Sequence, residues 1–288
     1  MKIAIVTDST ATITQEEAAQ YGIKVIPIPI ILDGKVYQED IDITTKQFYD
    51  MLKTTDSFPS TSQPPIGELI EIYENLKNEG YDQVLSIHLA STISGFMNNV
   101  ISISDRIEGL EVIPYDSKIT VRLMGWLVLK AAKMVQDGKS LAEITVTLDQ
   151  LVASMDEYFV VDDLNNLVRG GRLSNAGAVI GTMLKVKPIL TFDNDSNYII
   201  PFEKVRSMKK AQKRVEELFK KALFDADYPI KPMVIHANDA VAGEKWRHEL
   251  EEKYPAMEFE FSYFSPVIGT HLGQGALALV WMRDPESL

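Results

Sequence analysis

Two short segments rich in hydroxyl side chains are the parts of this chain best suited to bind a small polar group. One reads Thr61-Ser62-Gln63-Pro64-Pro65 and the other Ser91-Thr92-Ile93-Ser94-Gly95, and neither contains Lys, Arg, Cys or Asp. Each precedes a run with helical apolar spacing, and a helix N-terminus offers unpaired backbone N–H groups and a partial positive charge. Two such ends with Ser and Thr hydroxyls can hold one carboxyl group by hydrogen bonds alone. The pattern predicts a binding site for an acid and is not typical of a hydrolytic centre.

Each of these segments also has a simpler interpretation. Ser62 is placed to cap a helix whose first turn holds Pro64-Pro65, and Ser94 is placed to cap the next helix. Thr61 is not needed as a cap, and Gly95 allows close approach by either a ligand or a neighbouring helix. The residues alone leave both interpretations open.

A histidine near the carboxyl end lies among glycines. His271 stands within a run of seven residues, from Gly269 to Gly275, that contains three glycines. It could hydrogen-bond a carboxyl group or transfer a proton, or it could be a surface loop residue. Paired with Ser94 it would suggest an esterase or acyltransferase, but the chain has no G-x-S-x-G motif and no identifiable acid for a triad. No P-loop motif is present either, so ATP chemistry by this chain alone is not expected.

Basic residues are concentrated in the second half of the chain. Arg169-Gly170-Gly171-Arg172 spaces two guanidinium groups around a flexible pair, which suits a phosphate or an acidic partner. Arg206 precedes a run with an apolar face of core spacing and a basic face. We interpret this basic face either as a solvated surface or as a docking surface for a partner protein. Its members are Lys209, Lys210, Lys213, Arg214, Lys220 and Lys221.

The elements that must position these residues differ between the two halves of the chain. In the first half, β-rich runs alternate with helical runs, and Thr7–Thr10, Ser91–Gly95 and Asp116-Ser117 each follow such a β-rich run. The carboxyl ends of parallel strands meet at one edge of a sheet, so we expect these segments to lie together. The second half predicts a hairpin across Asp193–Ser196 within a mixed sheet. We therefore predict an α/β protein with a parallel-sheet, Rossmann-like N-terminal domain (1–156) and a mixed-sheet α+β C-terminal domain (157–288).

Several local patterns make testable structural predictions. Thr14 with Glu17, and Ser140 with Glu143, have the spacing of capping boxes that open helices. The apolar run from Val25 to Leu32 contains Pro27 and Pro29, which predicts either a strand at a sheet edge or a broken strand. The run from Asn175 to Leu184 predicts a short helix.

Composition limits the classes of function. The 288 residues are 45% apolar and 24% charged, with a net charge of −12 and no cysteine. The negative charge argues against nucleic acid and against stable docking on an anionic membrane, so that only a transient membrane contact is expected. The lack of cysteine excludes a disulfide framework and a thiol nucleophile, and the lone Asp8 is a poor metal site. The first residues do not resemble a secretory signal, and we expect a cytoplasmic monomer.

Taken in order, the motifs of this chain resemble the DegV family, the fatty-acid-binding subunits of bacterial fatty acid kinase. The resemblance covers essentially the whole chain. One departure is Phe96, which follows Ser94-Gly95 where the family usually has a small hydroxyl residue. The resemblance rests on Thr7-Asp8-Ser9, Thr61-Ser62-Gln63-Pro64, Ser94-Gly95, Tyr115-Asp116-Ser117, the segment from Leu167 to Ser174, the segment from Lys185 to Pro188, and Gly269-Thr270-His271.

The resemblance implies a lipid carrier with no catalytic residue, metal or cofactor of its own. A long-chain fatty acid would be buried between the two domains, its carboxyl group bonded by Thr61 and Ser94, beside Ser62 and Gly95, with His271 nearby. A separate kinase subunit, related to dihydroxyacetone kinases, would use ATP to phosphorylate the carboxylate for phospholipid synthesis. The basic residues implied to dock that kinase and to steer phosphate are Arg169, Arg172 and Arg206. The sequence leaves open the length of the acyl chain and whether Asp8, Asp116 or Ser117 contacts the ligand.

Overall fold

A computed structural model describes residues 1–173 and 187–288. The chain divides into two units. The first unit comprises Met1–Gln47 and Thr55–Ala153, and the second comprises Phe48–Thr54 and Ser154–Leu288. The sequence gives no sign that Phe48–Thr54 belongs with the second unit, because its apolar spacing would suit any buried helix. The predicted helix from Asn175 to Leu184 lies outside the described residues.

The first unit is built around a parallel sheet. In chain order its elements are β1 (Ile3–Asp8), α1 (Gln15–Tyr21), β2 (Lys24–Ile26), β3 (Pro29–Leu32), β4 (Lys35–Gln38), α2 (Thr45–Leu52, which continues into the second unit), β5 (Ser60–Thr61), α3 (Ile66–Asn78), β6 (Gln83–His88), α4 (Phe96–Ser104), β7 (Glu111–Asp116), α5 (Val121–Gln136) and α6 (Leu141–Val152). The parallel sheet has the order β2-β1-β6-β7. Strands β1 and β6 are buried along almost their whole length, as expected for parallel strands covered on both faces.

Two helix starts of the first unit, those of α1 and α6, follow local sequence signals. Thr14 Oγ1 accepts a hydrogen bond from Glu17 N, and the Glu17 carboxylate accepts one from Thr14 N. Ser140 and Glu143 make the same reciprocal pair at the start of α6. Both predicted capping boxes are therefore confirmed.

For the run from Val25 to Leu32, the predicted alternative of a broken strand is confirmed. The chain forms β2 and then β3, which lie in different sheets, because Pro27 and Pro29 interrupt the run. Strand β3 is the centre of a small antiparallel sheet of order β4-β3-β5. Its hairpin to β4 turns at Asp33 and Gly34, whose φ angles of 52° and 73° match the left-handed turn expected for this dipeptide.

The second unit is built around a mixed sheet of order β10-β9-β8-β13-β11-β12. In chain order its further elements are β8 (Asp156–Val160), α7 (Asn165–Arg169), β9 (Lys187–Phe192), β10 (Ile199–Val205), α8 (Met208–Asp225), β11 (Ile230–His236), α9 (Ala240–Lys253), β12 (Glu260–Tyr263), α10 (Pro266–Leu272) and β13 (Leu277–Arg283). Strands β9 and β10 pair antiparallel, which confirms the predicted hairpin, and β11 and β12 pair in parallel. The predicted fold class, a parallel-sheet part and a mixed-sheet part, is confirmed.

The segment Phe48–Thr54 is packed deeply into the second unit. Phe48 and Tyr49 have no exposed surface, and the Tyr49 hydroxyl donates to the Phe264 carbonyl oxygen at 3.3 Å. Gly269 leaves room for this ring, since a Cβ atom there would lie 2.3 Å from the Tyr49 hydroxyl oxygen. A glycine in α10 is therefore needed for Tyr49 to fit.

The length and hydropathy of the helices bear on membrane insertion. Within residues 1–173 and 187–288, none of the helices combines the length and the apolar character that crossing a bilayer requires.

Candidate functional site

The predicted strand-end segments of the first unit lie at one edge of its parallel sheet. Asp8 ends β1, His88 ends β6 and Asp116 ends β7. Strand β2 lies on one side of β1 and β6 on the other, so the strand order reverses direction between β1 and β6. In open α/β sheets, ligands bind in the crevice that such a reversal creates at the carboxyl ends of the strands.

Asp8 links the loops that follow β1 and β6. Its Oδ1 accepts from Thr10 N at 3.1 Å and from Thr10 Oγ1 at 2.6 Å. Its Oδ2 accepts from Leu89 N at 3.1 Å and faces His88 Nδ1 at 3.0 Å. Four partners fill the acceptor capacity of an ionised carboxylate. The Asp8 carboxylate is therefore used by hydrogen bonds within the fold.

His88 continues this buried hydrogen-bond chain into the sheet. Its Nε2 lies 2.7 Å from Ser86 Oγ, which in turn lies 2.8 Å from the Tyr73 hydroxyl. The Phe96 ring packs edge-on against the imidazole with centroids 4.6 Å apart. Ser86, His88 and Asp8 have the connectivity of a nucleophilic triad, but all three side chains are 0% exposed. A substrate cannot reach Ser86, so the arrangement is structural.

Ser94 is held by its own loop and by the start of α4. Its backbone N–H donates to the Ala90 carbonyl oxygen at 3.2 Å. Its Oγ accepts a hydrogen bond from Phe96 N at 3.2 Å. Gly95 occupies the N-cap position of α4, and Phe96 is the first residue of the helix. A hydroxyl oxygen that accepts a backbone N–H can still donate its proton to a ligand.

The second predicted segment differs from the expectation at its helix start. In the described chain, α3 begins at Ile66 after Pro65, and no side chain caps it, so the prediction that Ser62 is the cap is wrong. Pro65 has extended backbone, with ψ of 136°, and the helix starts only after it. Thr61 lies instead in β5 opposite Ile30, and Ser62 N donates to the Pro29 carbonyl oxygen at 3.0 Å.

Gln63 brings the two hydroxyl-rich segments together. Asn99 Nδ2 donates to Gln63 Oε1 at 2.5 Å, and the Gln63 amide lies over Gly95. A Cβ atom at Gly95 would lie 2.3 Å from Gln63 Nε2, although the Gly95 φ of −74° suits any residue. Gly95 thus allows the approach of the neighbouring segment. Sequence reasoning missed Gln63, in a loop, and Asn99, in α4, because an amide side chain in either setting gives no signal of its partner.

The residues after β7 support the Ser91–Gly95 loop. The Asp116 carboxylate accepts from Ser91 N at 3.3 Å and from Lys118 N at 2.9 Å. Ile119 supplies the carbonyl oxygen for Ala90 N at 2.8 Å. Asp116, like Asp8, is occupied by internal hydrogen bonds in this structure.

His271 lies in α10 of the second unit and is not a surface loop residue. Burial, with a smaller contribution from the Arg172 charge, lowers the pKa of His271 to about 3. The ring is therefore neutral near pH 7, where it can hydrogen-bond a carboxyl group but is a weak general base. The Gly170 backbone lies against it, since a Cβ there would be 2.5 Å from His271 Nδ1.

The three predicted phosphate- or partner-facing arginines lie in the second unit with unequal exposure. Arg172 donates to the Gly170 carbonyl oxygen at 2.5 Å, and its pKa is lowered by burial. Arg169 and Arg206 are exposed. Across the described residues, no group of three or more His, Asp or Glu side chains is arranged to hold a metal ion.

The chain is similar to known proteins along its whole length. A family model described as "Uncharacterised protein, DegV family" matches residues 2–284. A DegV domain-containing protein of Listeria innocua is 48% identical over 280 residues, which cover 97% of this chain and 98% of that protein. The crystal structure of DegV from Bacillus subtilis, described as a fatty acid binding protein, matches with a TM-score of 0.90 and 44% identity over 99% of this chain and 100% of that one. A fatty acid binding DegV family protein from Streptococcus agalactiae matches with a TM-score of 0.91 and 36% identity over 99% of each chain.

Proposed function

Because this chain belongs to the DegV family, we propose that it binds a long-chain fatty acid and presents the carboxylate to a separate ATP-dependent kinase subunit. Two similar crystal structures are of proteins described as fatty acid binding. The proposal rests above all on Gln63, which places the Thr61 segment against the Ser94 segment at the carboxyl edge of the parallel sheet.

The proposed head-group site uses hydroxyls in place of cations. We assign the carboxyl group to Thr61 and Ser94, with Ser62 and Gly95 adjoining and His271 as a further neutral hydrogen-bond donor. Neutral donors leave one carboxylate oxygen able to attack the γ-phosphoryl group of ATP, whereas a Lys or Arg clamp would hold both oxygens. The attack forms the acyl phosphate and releases ADP from the kinase, and the acyl phosphate goes on to phospholipid synthesis.

The acyl tail supplies most of the affinity in this proposal. Each buried CH₂ contributes about 0.8 kcal/mol, so a long chain does not need strong contacts at its carboxyl group. The carrier then needs no catalytic group, metal or cofactor of its own. We further propose that it acts in the cytoplasm as a monomer and contacts the membrane transiently to exchange lipid.

The kinase partner is proposed to recognise the basic side chains of the second unit. Arg169 and Arg206 are exposed and suit docking, while the more buried Arg172 suits phosphate steering. Arg169→Glu should reduce acyl-phosphate formation and leave fatty acid binding unchanged. Lys245→Glu, the same charge change at an exposed site on α9, is the matched control. Equal loss in both variants would contradict a specific docking role for Arg169.

The deciding experiment is solvent extraction and mass spectrometry of the protein purified without detergent. A fatty acid near one per chain supports the proposal and identifies the preferred tail. A protein that is purified without lipid and also fails to take up fatty acid refutes it.

A Ser94–His271 esterase is the alternative function, and the low pKa of His271 disfavours it. It would require turnover of a chromogenic ester that Ser94→Ala abolishes.

A further inference from the structure

A continuous chain of buried hydrogen bonds runs beneath the Ser94 loop. Asp8 accepts from Thr10, and Thr10 Oγ1 accepts from Thr120 Oγ1 at 2.9 Å. On the other side, His88 links Asp8 to Ser86. All of these side chains are buried, and a buried polar network that is fully satisfied fixes one arrangement of its members.

The donor directions in this chain follow from its two ends. Asp8 Oδ2 also accepts from Leu89 N, and the geometry assigns His88 Nδ1 as a second donor to the same oxygen. Burial raises the pKa of Tyr73 to about 12, so its hydroxyl is protonated and can donate to Ser86 Oγ. Ser86 then donates to the unprotonated His88 Nε2. This assignment holds the imidazole in one orientation, with Nδ1 towards Asp8 and Nε2 towards Ser86.

Two routes connect this imidazole and Asp8 to Ser94. Asp8 Oδ2 accepts from Leu89 N, and the next residue, Ala90, supplies the carbonyl oxygen that accepts Ser94 N. His88 packs against the Phe96 ring, and Phe96 N donates to Ser94 Oγ. The first route ends at the backbone N–H of Ser94 and the second at its Oγ.

We infer that Asp8 and His88 are positioning residues that hold Ser94 in the geometry required to bind a carboxylate. The inference rests on the proposed function, since it takes Ser94 as a donor to the ligand's carboxyl group. The inference also gives Phe96 a role, because its ring contacts His88 and its backbone N–H donates to Ser94 Oγ.

Two substitutions at position 88 separate the two ring nitrogens. In His88→Asn the side-chain amide can replace the Nδ1 donor to Asp8. In His88→Gln the longer amide replaces the Nε2 position instead, and Asp8 is left without the donor that Nδ1 supplied. Thr120→Val removes the hydroxyl at the far end of the network and serves as the control for general loss of stability. Thermal unfolding measures how far each variant is destabilised.

The readout is the preference for a long-chain fatty acid over its methyl ester, which shares the tail but lacks the carboxylate. We expect His88→Gln to reduce this preference about tenfold, the scale of one hydrogen bond to a charged group, and Thr120→Val to retain it. His88→Asn keeps a donor to Asp8 but loses the ring contact with Phe96, so its reduction should be smaller. An unchanged preference in folded His88→Gln, or an equal loss in folded His88→Asn, would overturn the inference. A wild-type protein that does not bind the acid would instead overturn the proposed function.

Nitrogen-15 NMR of the histidine rings tests the inference without any substitution. The expected spectrum shows a protonated, hydrogen-bonded Nδ1 and an unprotonated Nε2 for His88. The chemical shifts of both nitrogens should change when the acid binds and remain unchanged when the methyl ester binds. Assignment uses His88→Asn, which removes one ring from the four histidines. A protonated Nε2, or the same shift with both ligands, would contradict the positioning role.

Discussion

Replacing Gly125 by alanine should destabilise the first unit, although alanine is the better helix former. Gly125 lies in the interior of α5, where the intrinsic preference for alanine is about 1 kcal/mol. A Cβ atom there would lie 2.4 Å from the Ala11 carbonyl oxygen, in the 3-10 turn that follows β1. This is about 1 Å closer than ordinary contact, and the atom in the way is backbone that cannot rotate aside.

The size and sign of this effect follow from comparing the two contributions. Overpacking that shifts backbone costs about 1–3 kcal/mol, which exceeds the helix preference, so we expect a net loss of about 1–2 kcal/mol. Gly67→Ala in α3 is the matched control, because apart from its chain neighbours and the backbone of its own helix no atom lies within 4 Å of its Cβ position. That variant should gain about 0.5–1 kcal/mol.

Urea unfolding followed by circular dichroism measures both variants, and amide exchange within α5 assigns the change to the first unit. The prediction is the opposite sign of the free-energy change for the same chemical substitution. A Gly125→Ala protein as stable as the wild type would show that the close contact with Ala11 does not constrain α5, and the reasoning would fail.

Three further predictions concern the site and its ionisable groups. Gly95→Ala should displace the Gln63 amide and cost about 1 kcal/mol of unfolding free energy; a double-mutant cycle should find almost no cost once Gln63→Ala has emptied that space. The pKa of His271 falls from 6.5 to about 3 on folding, so this residue binds more protons in the unfolded chain. Its contribution to stability should therefore be lost as pH falls below 6.5, by up to about 1.4 kcal/mol per pH unit. His271→Asn should flatten that slope. Burial raises the pKa of Glu157, which accepts a hydrogen bond from Phe192 N, from 4.5 to about 8. The stability of the protein should therefore fall as pH rises across that range, and Glu157→Gln should be more stable than the wild type at pH 8 but not at pH 5. Equal stability of the two proteins at both pH values would contradict the assignment.

Elements specified by neighbouring residues could be predicted from the sequence. The capping boxes at Thr14 and Ser140 were predictable because both partners lie within one helical turn. The β9–β10 hairpin was predictable for the same reason, since a polar turn separates two apolar runs. The placement of the Ser91–Gly95 loop at a strand end followed from the alternation of strands and helices.

Features that depend on distant partners could not be read from the sequence. Asp8 and His88 are separated by 80 positions, and no local pattern marks either as the partner of the other. Gln63 gives no sign that it will lie over Gly95, which depends on how α3 and α4 pack. The interpretation of Ser62 as a helix cap, one of two that the residues left open, fails because Pro64-Pro65 also fits an extended segment, which delays the start of the helix.

The placement of Phe48 and Tyr49 in the second unit has a consequence for synthesis of the chain on the ribosome. These two aromatic side chains emerge among residues that can begin to fold as the first unit. Tyr49 and its partner Phe264 are 215 positions apart, so the two rings stay without their final packing while that length of chain is made. The nascent chain is thus exposed to aggregation over this stretch of elongation. Truncation before α10 would leave a product that is a client for chaperones or proteases rather than a smaller stable domain.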